Sequence, residues 1–236
     1  MDNREITIIK VGGSILSLSE ENIFDFNEVN KLKDVLFEHL DKRKYLLCIG
    51  GGFVCRKYQK LLRDKGYPDK DQHEVGVATI NLNAVMMKSV FGNRADDRIL
   101  RYADYDSDEP IIFERDIFVT AAGSPGHSSD WNTVKLAIRS NSKKIVSLKN
   151  IDGVYTADPK KDPAATKLDK VTWDEYINII GNPSSFEPGG NYPVDIFAAK
   201  LAKETGKVFY IVKGDNFENM MNAINGEEFI GTIISD

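Results

Sequence analysis

A lysine stands next to a glycine pair near the amino terminus, in the run Ile8-Ile9-Lys10-Val11-Gly12-Gly13-Ser14. A glycine triplet, Gly50-Gly51-Gly52, follows in Cys48-Ile49-Gly50-Gly51-Gly52-Phe53-Val54-Cys55-Arg56. Each run reads as an apolar strand entering a glycine turn. Such turns let backbone N–H groups close on phosphate oxygens, because no Cβ stands in the way. Two phosphate-sized cradles in one small protein suit a phosphoryl donor and an acceptor held face to face. A lysine at the end of a buried strand needs an anionic partner. A migrating phosphoryl group is one, since phosphoryl transfer consists mostly of positioning and charge neutralisation. The plainer alternative for Lys10 is an edge-strand lysine reaching solvent, and the adjoining glycines favour the functional reading. The triplet by itself suits a ligand, another backbone or a tight turn about equally. Arg56, about one helical turn past Gly52, either points back to a phosphate or is an ordinary surface arginine.

Three further runs carry polar chemistry. Ser124-Pro125-Gly126-His127-Ser128-Ser129-Asp130 follows a strand and opens a helix, so Ser128, Ser129 or Asp130 can cap it. Its hydroxyls and N–H groups suit a second anion. His127 either donates to a phosphate or is solvated, and Asp130 either caps or holds Lys10 in place. In Ile151-Asp152-Gly153-Val154-Tyr155-Thr156-Ala157-Asp158-Pro159-Lys160, Asp-Gly and Asp-Pro mark turns. Tyr155 there suits a nucleotide, and Lys160 and Lys161 suit a triphosphate tail; the bland reading is a charged surface loop. Gly189-Gly190 precedes Pro193-Val194-Asp195, a loop entering a helix, where Asp195 touches substrate, donor or only backbone.

The elements that must position these residues alternate. Strands are expected at 5–11, 45–49, 117–122, 144–148, 208–212 and 231–234, and helices at 27–40, 53–62, 75–91, 130–139, 173–180, 194–205 and 216–225. Residues 152–162 read as a polar loop, and 101–110 and 181–193 as candidate mobile loops. Alternation of this kind predicts a mostly parallel sheet covered on both faces, with ligands at the strands' carboxyl ends. Each loop singled out follows such an end.

Composition narrows the class. The 236 residues, 42% hydrophobic, suffice for one large domain or two joined lobes. A balance of 31 basic against 36 acidic residues, with no basic stripe, argues against nucleic acid as a partner. The charged start reads as no signal peptide, and no apolar run approaches a membrane span, so a cytoplasmic protein without membrane attachment is expected. The two cysteines, Cys48 and Cys55, lack zinc-site spacing and read as reduced packing thiols.

Taken in order, these runs, with Val194-Asp195-Ile196-Phe197-Ala198-Ala199-Lys200 and the terminal Gly231-Thr232-Ile233-Ile234, resemble the amino acid kinase superfamily. The likeness is to its uridylate kinase branch, archaeal type, and runs almost end to end. It implies a three-layer α/β/α sandwich with a mostly parallel central sheet in a single domain. An acceptor-binding half would take about residues 1–125 and an ATP-binding half about 126–236. It implies ATP with Mg2+ as donor, UMP as the first acceptor, UDP as product, and a homo-oligomer, often a hexamer in the family. Carried over by motif, Lys10 and Asp130 would be catalytic, and Gly12, Gly13, Ser14, Gly52, Arg56, Asn150, Tyr155, Asp158 and Lys160 would hold the donor. Gly50, Gly51, His73, Ser124, Gly126, His127, Ser128 and Ser129 would face the acceptor; no metal-ligating residue is implied.

The chain departs from that pattern mostly on the acceptor side. His73 stands where the branch carries an aspartate three residues before a glycine, here Gly76, and Asn81 replaces an arginine further along. Trp131 follows Asp130 where a small residue is usual, and Lys149 replaces a small hydroxyl residue before Asn150. Two alternatives therefore stand beside UMP: a kinase of a different small acid or phosphate, and a non-catalytic nucleotide- or oxyanion-binding member.

Overall fold

The computed structural model describes residues 4–101, 107, 109–121, 123, 127–181 and 192–236. Ser124, Gly126 and the Gly189-Gly190 pair lie outside the described residues, as does most of the two loops expected at 101–110 and 181–193.

The chain begins with β1 (Glu5–Val11), α1 (Gly13–Leu16), α2 (Phe26–Phe37) and β2 (Arg43–Ile49). Helices α3 (Gly52–Asp64) and α4 (Asp69–Phe91), a 3-10 turn (Gly92–Arg94) and β3 (Ile117–Thr120) follow. Next come α5 (Ser129–Arg139), β4 (Lys144–Lys149), β5 (Val154–Tyr155), β6 (Lys167–Leu168) and β7 (Lys170–Val171). The chain closes with α6 (Trp173–Ile180), α7 (Ile196–Glu204), β8 (Val208–Lys213), α8 (Phe217–Asn225) and β9 (Gly231–Ile234).

Seven strands form one sheet in the order β3-β2-β1-β4-β8-β9-β7. The pairs from β3 across to β8 are parallel, β9 runs antiparallel to β8, and β7 parallels β9. Strands buried on both faces read as nearly continuous apolar runs, and β1 and β2 do so. Because strand side chains alternate, each strand feeds two cores. Ile9, Val11, Leu47, Val146 and Leu148 pack with α2, α4 and α8 residues such as Leu32, Met87 and Met220. Ile8, Leu46, Ile145 and Phe209 pack with α5, α6 and α7 residues such as Val134, Trp173 and Ala198. These are the three layers the sequence predicts.

Element boundaries move where end signals outweigh apolar periodicity. Helix α4 starts at Asp69 rather than 75: Pro68 leads into it and Asp69 and Asp71 lie in its first turn, a favourable charge for a helix start. The stretch expected as a loop at 152–162 contains β5, which pairs antiparallel with β6. Helix α4 with its 3-10 turn also corrects the expectation about apolar length. Asp69–Arg94 spans 26 residues with a mean hydropathy of 1.2 in its most apolar window, enough by length and composition to cross a membrane. In the fold this helix packs against α2, α3 and β3.

Candidate functional site

The order of the central strands creates the site. From β1 the chain proceeds to β2 on one side, while β4 leads on to β8 on the other. At such a switch point the loops beyond the carboxyl ends part and leave a crevice. Lys10 and Lys149 both stand there. Alternation along β1 puts Lys10 on the face of Ile8, and along β4 puts Lys149 on the face of Ile145, the face covered by α5. Lys10 lies opposite Ser147, so Lys149 projects one step further toward the crevice.

Helix α5 brings the counter-charge. Ser128 caps it, accepting from the Trp131 N–H at 2.9 Å, and this sets Asp130 in the first turn facing β1 and β4. Asp130 Oδ1 lies 3.3 Å from Lys10 Nζ. Lys149 Nζ donates to both carboxylate oxygens, at 3.0 and 3.2 Å. The Lys10 side chain is 5% exposed, so the ion pairs are shielded from solvent screening. Burial pushes the Asp130 carboxyl up, but the two ammonium groups outweigh it and hold the group below its ordinary range. Burial drives Lys149 the other way, down to about 8, with Asp130 opposing and Lys10 adding to the fall. Two ammonium groups share one carboxylate, and a second carboxylate, Asp195, is near enough to act on both Lys149 and Asp130.

Above it the two glycine turns press against each other. Gly12 N–H donates to Leu148 O at 3.0 Å, and Gly50 N–H to Val11 O at 3.1 Å. A Cβ on Gly13 would stand 2.0 Å from Gly52 N, and one on Gly50 would stand 2.5 Å from Gly13 N. Gly52 also needs its positive φ of 72°. Of the readings open to the triplet, close approach of a second backbone is therefore the one observed. Asn83, reaching across from α4, donates to Gly50 O at 2.9 Å and to Gly51 O at 3.0 Å. With these contacts made, the N–H groups of Gly13, Ser14, Gly51 and Gly52 have no partner among the described residues. Unpaired N–H groups at paired turns beside a positive cluster attract a polyanion.

The remaining predicted residues fall into two groups. Among the residues expected to face the acceptor, His127 stacks on Trp131 with ring centroids 3.9 Å apart and planes 11° from parallel. Burial, against the pull of Asp69 and with the nearby His127, lowers the proton affinity of His73, so α4 brings the two histidines within electrostatic reach. Ser128 also donates to Asp195, whose other oxygen accepts from the Phe197 and Ala198 N–H groups. Asp195 therefore caps α7 and ties it to the start of α5. Ser129 begins α5, its carbonyl accepting from Thr133.

Of the expected donor-side residues, several engage only their own neighbours. Tyr155 O–H donates to Asp152 at 2.9 Å, and Asp158 accepts from the Lys160 N–H at 3.0 Å, closing its own turn. Asn150 is exposed just past β4, Asp158 and Lys160 are exposed past β5, and Arg56 is exposed on α3 without an ion pair among the described residues. A cavity of about 310 Å³ opens at the other end of the sheet, near Arg4, Thr7 and Lys144, and none of the predicted site residues lines it.

In the sequence Lys149 stands out only as a departure from the family pattern, and Asn83 belongs to none of its motifs. Period-two alternation puts Lys149 on the face of Ile145 and Ser147, and the pairing of β4 with β1 then sets it beside Lys10. Asn83 carries no such signal, being one polar residue on a long helix. Among the described residues, no three His, Cys, Asp or Glu side chains converge on one point, and both oxygens of Asp130 are held by lysine. The described side chains thus do not form a magnesium site of their own. Cys48 and Cys55 are buried free thiols, each raised by burial to about 11.

Paired glycine turns over a buried cation at a switch point define an α/β protein built to hold phosphoryl groups. The Amino acid kinase family signature matches residues 5–213, and the chain belongs to that family. A uridylate kinase of Archaeoglobus fulgidus is 29% identical over 97% of this chain and 99% of its own. One of Thermococcus kodakarensis is 27% identical over 96% and 98%. Among solved structures, the Archaeoglobus fulgidus uridylate kinase superposes with a TM-score of 0.77 at 25% identity, covering 98% of this chain and 100% of that one. UMP kinase from Ureaplasma parvum shares the fold, with a TM-score of 0.77 at 18% identity and full coverage of both chains.

Proposed function

We propose that this protein is a small-molecule kinase that transfers the γ-phosphoryl group of ATP to UMP, giving UDP and ADP. The observation that carries the reading is the Lys10–Asp130 pair beneath two abutting glycine turns whose N–H groups have no partner among the described residues. The full-length likeness to proteins named uridylate kinase supplies the acceptor.

In this reading Gly12, Gly13 and Ser14 hold the donor phosphates, and Gly50, Gly51 and Gly52 lie between donor and acceptor. An oxygen of the acceptor phosphate forms a bond to the γ-phosphorus while the bond to the ADP oxygen breaks. The acceptor is already ionised at neutral pH, so no general base is needed. Lys10 neutralises the charge on the moving group, and Asp130 fixes where Lys10 points. Magnesium bound with the triphosphate would offset its negative charge, and no cluster of described His, Cys, Asp or Glu side chains would hold it directly. Asn150, Tyr155, Asp158 and Lys160 would flank the nucleotide of the donor, and Arg56 would close over its phosphates. His73, His127, Ser128 and Ser129, with Ser124 and Gly126, would surround the acceptor. The acceptor-binding half would take about residues 1–125 and the ATP-binding half about 126–236, each lending its glycine turns or its helix-start loop to the other's ligand, in a cytoplasmic homo-oligomer.

A second reading keeps the chemistry and changes the acceptor. The His127–Trp131 stack, with His73 near it, narrows the acceptor side with aromatic surface. A panel of nucleoside monophosphates and small phosphates and acids, each offered with ATP and magnesium while ADP release is followed, decides. UMP turning over fastest supports the first reading; another acceptor turning over far faster removes UMP and leaves the kinase.

A further inference from the structure

Lys149 stands deep in the crevice, and the chemistry so far has not used it. Its side chain is 12% exposed and its ammonium holds both oxygens of Asp130, at 3.0 and 3.2 Å. Lys10 Nζ stands 3.3 Å from Oδ1 of the same carboxylate. The carboxylate is therefore more closely satisfied by Lys149 than by Lys10. We propose that Lys149 is a positioning residue of the phosphoryl site: it takes up the charge of Asp130, so that the Lys10 ammonium stays free to meet an incoming phosphate. The proposal rests on the phosphoryl-transfer reading above.

The charge count gives the reason. Among the three side chains in direct contact, two cations and one anion leave a net positive charge in a shielded site, with Asp195 satisfied by Ser128 and the first N–H groups of α7, and such a charge is costly until an anion arrives. Without Lys149, Lys10 and Asp130 form a one-to-one buried pair with no net charge. A phosphate would then have to compete with a carboxylate for the only ammonium group. Arrangement along the strands fits this division of labour. Lys10 and Lys149 project from neighbouring strands on one face, with Asp130 between them on the covering helix.

The same geometry makes the site sensitive to base. Lys149 loses its proton near pH 8, because burial and Lys10 outweigh Asp130 and the more distant Asp195. Two other titratable groups facing the cluster are raised beyond that range. The Cys48 thiol on β2 is raised to about 11, and burial raises Tyr176 on α6 well above its ordinary value. Lys213 on β8, beside Lys149 in register, is paired with Asp215 at 3.0 Å. Raising the pH through about 8 should thus remove one positive charge from the cluster and leave Lys10 paired with Asp130.

The test uses the full chain and the variants Lys149→Met, Lys149→Arg, Lys10→Met and Lys149→Met/Asp130→Asn. Calorimetry reads the affinity for inorganic tripolyphosphate from pH 6.5 to 9.5, and kcat and KM for ATP are read over the same range with UMP. Lys149→Met should bind tripolyphosphate at least about tenfold more weakly and lose about 100-fold in kcat/KM. The wild type should weaken above about pH 8, and Lys149→Arg should keep its affinity there because a guanidinium stays charged. Adding Asp130→Asn to Lys149→Met restores the net charge and should recover most of the lost tripolyphosphate affinity. Wild-type affinity in Lys149→Met, an unchanged alkaline limb in Lys149→Arg, or no recovery in the double variant would each overturn the proposal. If Lys149→Met does not fold, the alkaline limbs of wild type and Lys149→Arg decide alone. A wild type that phosphorylates no acceptor strikes only at the kinase reading, since the tripolyphosphate affinities still decide on Lys149.

Discussion

Replacing Gly13 with alanine perturbs the site at the point where its two turns touch. The added Cβ would stand 2.0 Å from Gly52 N, 2.7 Å from Gly52 Cα and 2.8 Å from Gly51 N. Carbon atoms in ordinary contact keep about 3.5 Å, so the turns must part by about 1.5 Å. All three obstructing atoms are backbone, and no side chain can swing aside. A displacement of about 1 Å in a positioned reaction costs about 100-fold in rate. Overpacking of this kind costs about 1–3 kcal/mol of stability. Each kcal/mol lowers the melting temperature by about 2–4 °C in a domain of this size. The variant should therefore fold, melt a few degrees lower, and lose at least about 100-fold in kcat/KM when ADP release is followed with ATP and UMP. Near-normal turnover with an unchanged melting temperature would refute the argument that the abutting turns set the geometry of the reaction.

Asn83→Ala removes both hydrogen bonds that hold the Gly50–Gly51 carbonyls, at 2.9 and 3.0 Å. It should cost about 1–3 kcal/mol in denaturant unfolding and lower kcat/KM, and an unaltered enzyme would contradict that role. Tyr176→Phe leaves the buried N–H and carbonyl of Val194, each 2.6 Å from the phenol oxygen, without their partner. A loss of about 1–3 kcal/mol with an unchanged denaturant slope is expected, and a neutral result would count against it. Asp130 has a folded-state carboxyl below its ordinary range, so its stabilising effect is present at neutral pH and lost as pH falls through that lowered value. The stability gap between wild type and Asp130→Asn should shrink on acidification. A gap that widens would mean that the lysines do not hold the carboxylate.

Much of this was legible in the chain itself. The alternation of apolar strands and amphipathic helices gives the three layers, because each strand must bury both faces and each helix one. Lys10 was legible from its place between Ile9 and Val11, since a charge in such a run requires a partner. The helix start after the serines left Asp130 open between capping α5 and holding Lys10; the fold gives the cap to Ser128 and sets Asp130 against Lys10. Other parts were hidden for physical reasons. The glycines were ambiguous because a ligand and a second backbone demand the same missing Cβ, and the contact of Gly13 with Gly52 joins turns far apart in sequence. The hairpin of β5 and β6 was missed because each strand is two residues long, too short for a period. Helix α4 was trimmed because its first turn is acidic rather than apolar. Asn83 and the role of Asp195 depend on contacts across the fold that no local pattern encodes.

The central claim is that the Lys10 ammonium beneath the glycine turns carries phosphoryl transfer. Its most direct test compares wild type and Lys10→Met in ATP-dependent UDP formation, with a thermal melt of both. Loss of kcat by about 1000-fold or more, with a cooperative melt retained, is the predicted result. Comparable UDP formation by the two proteins would contradict it.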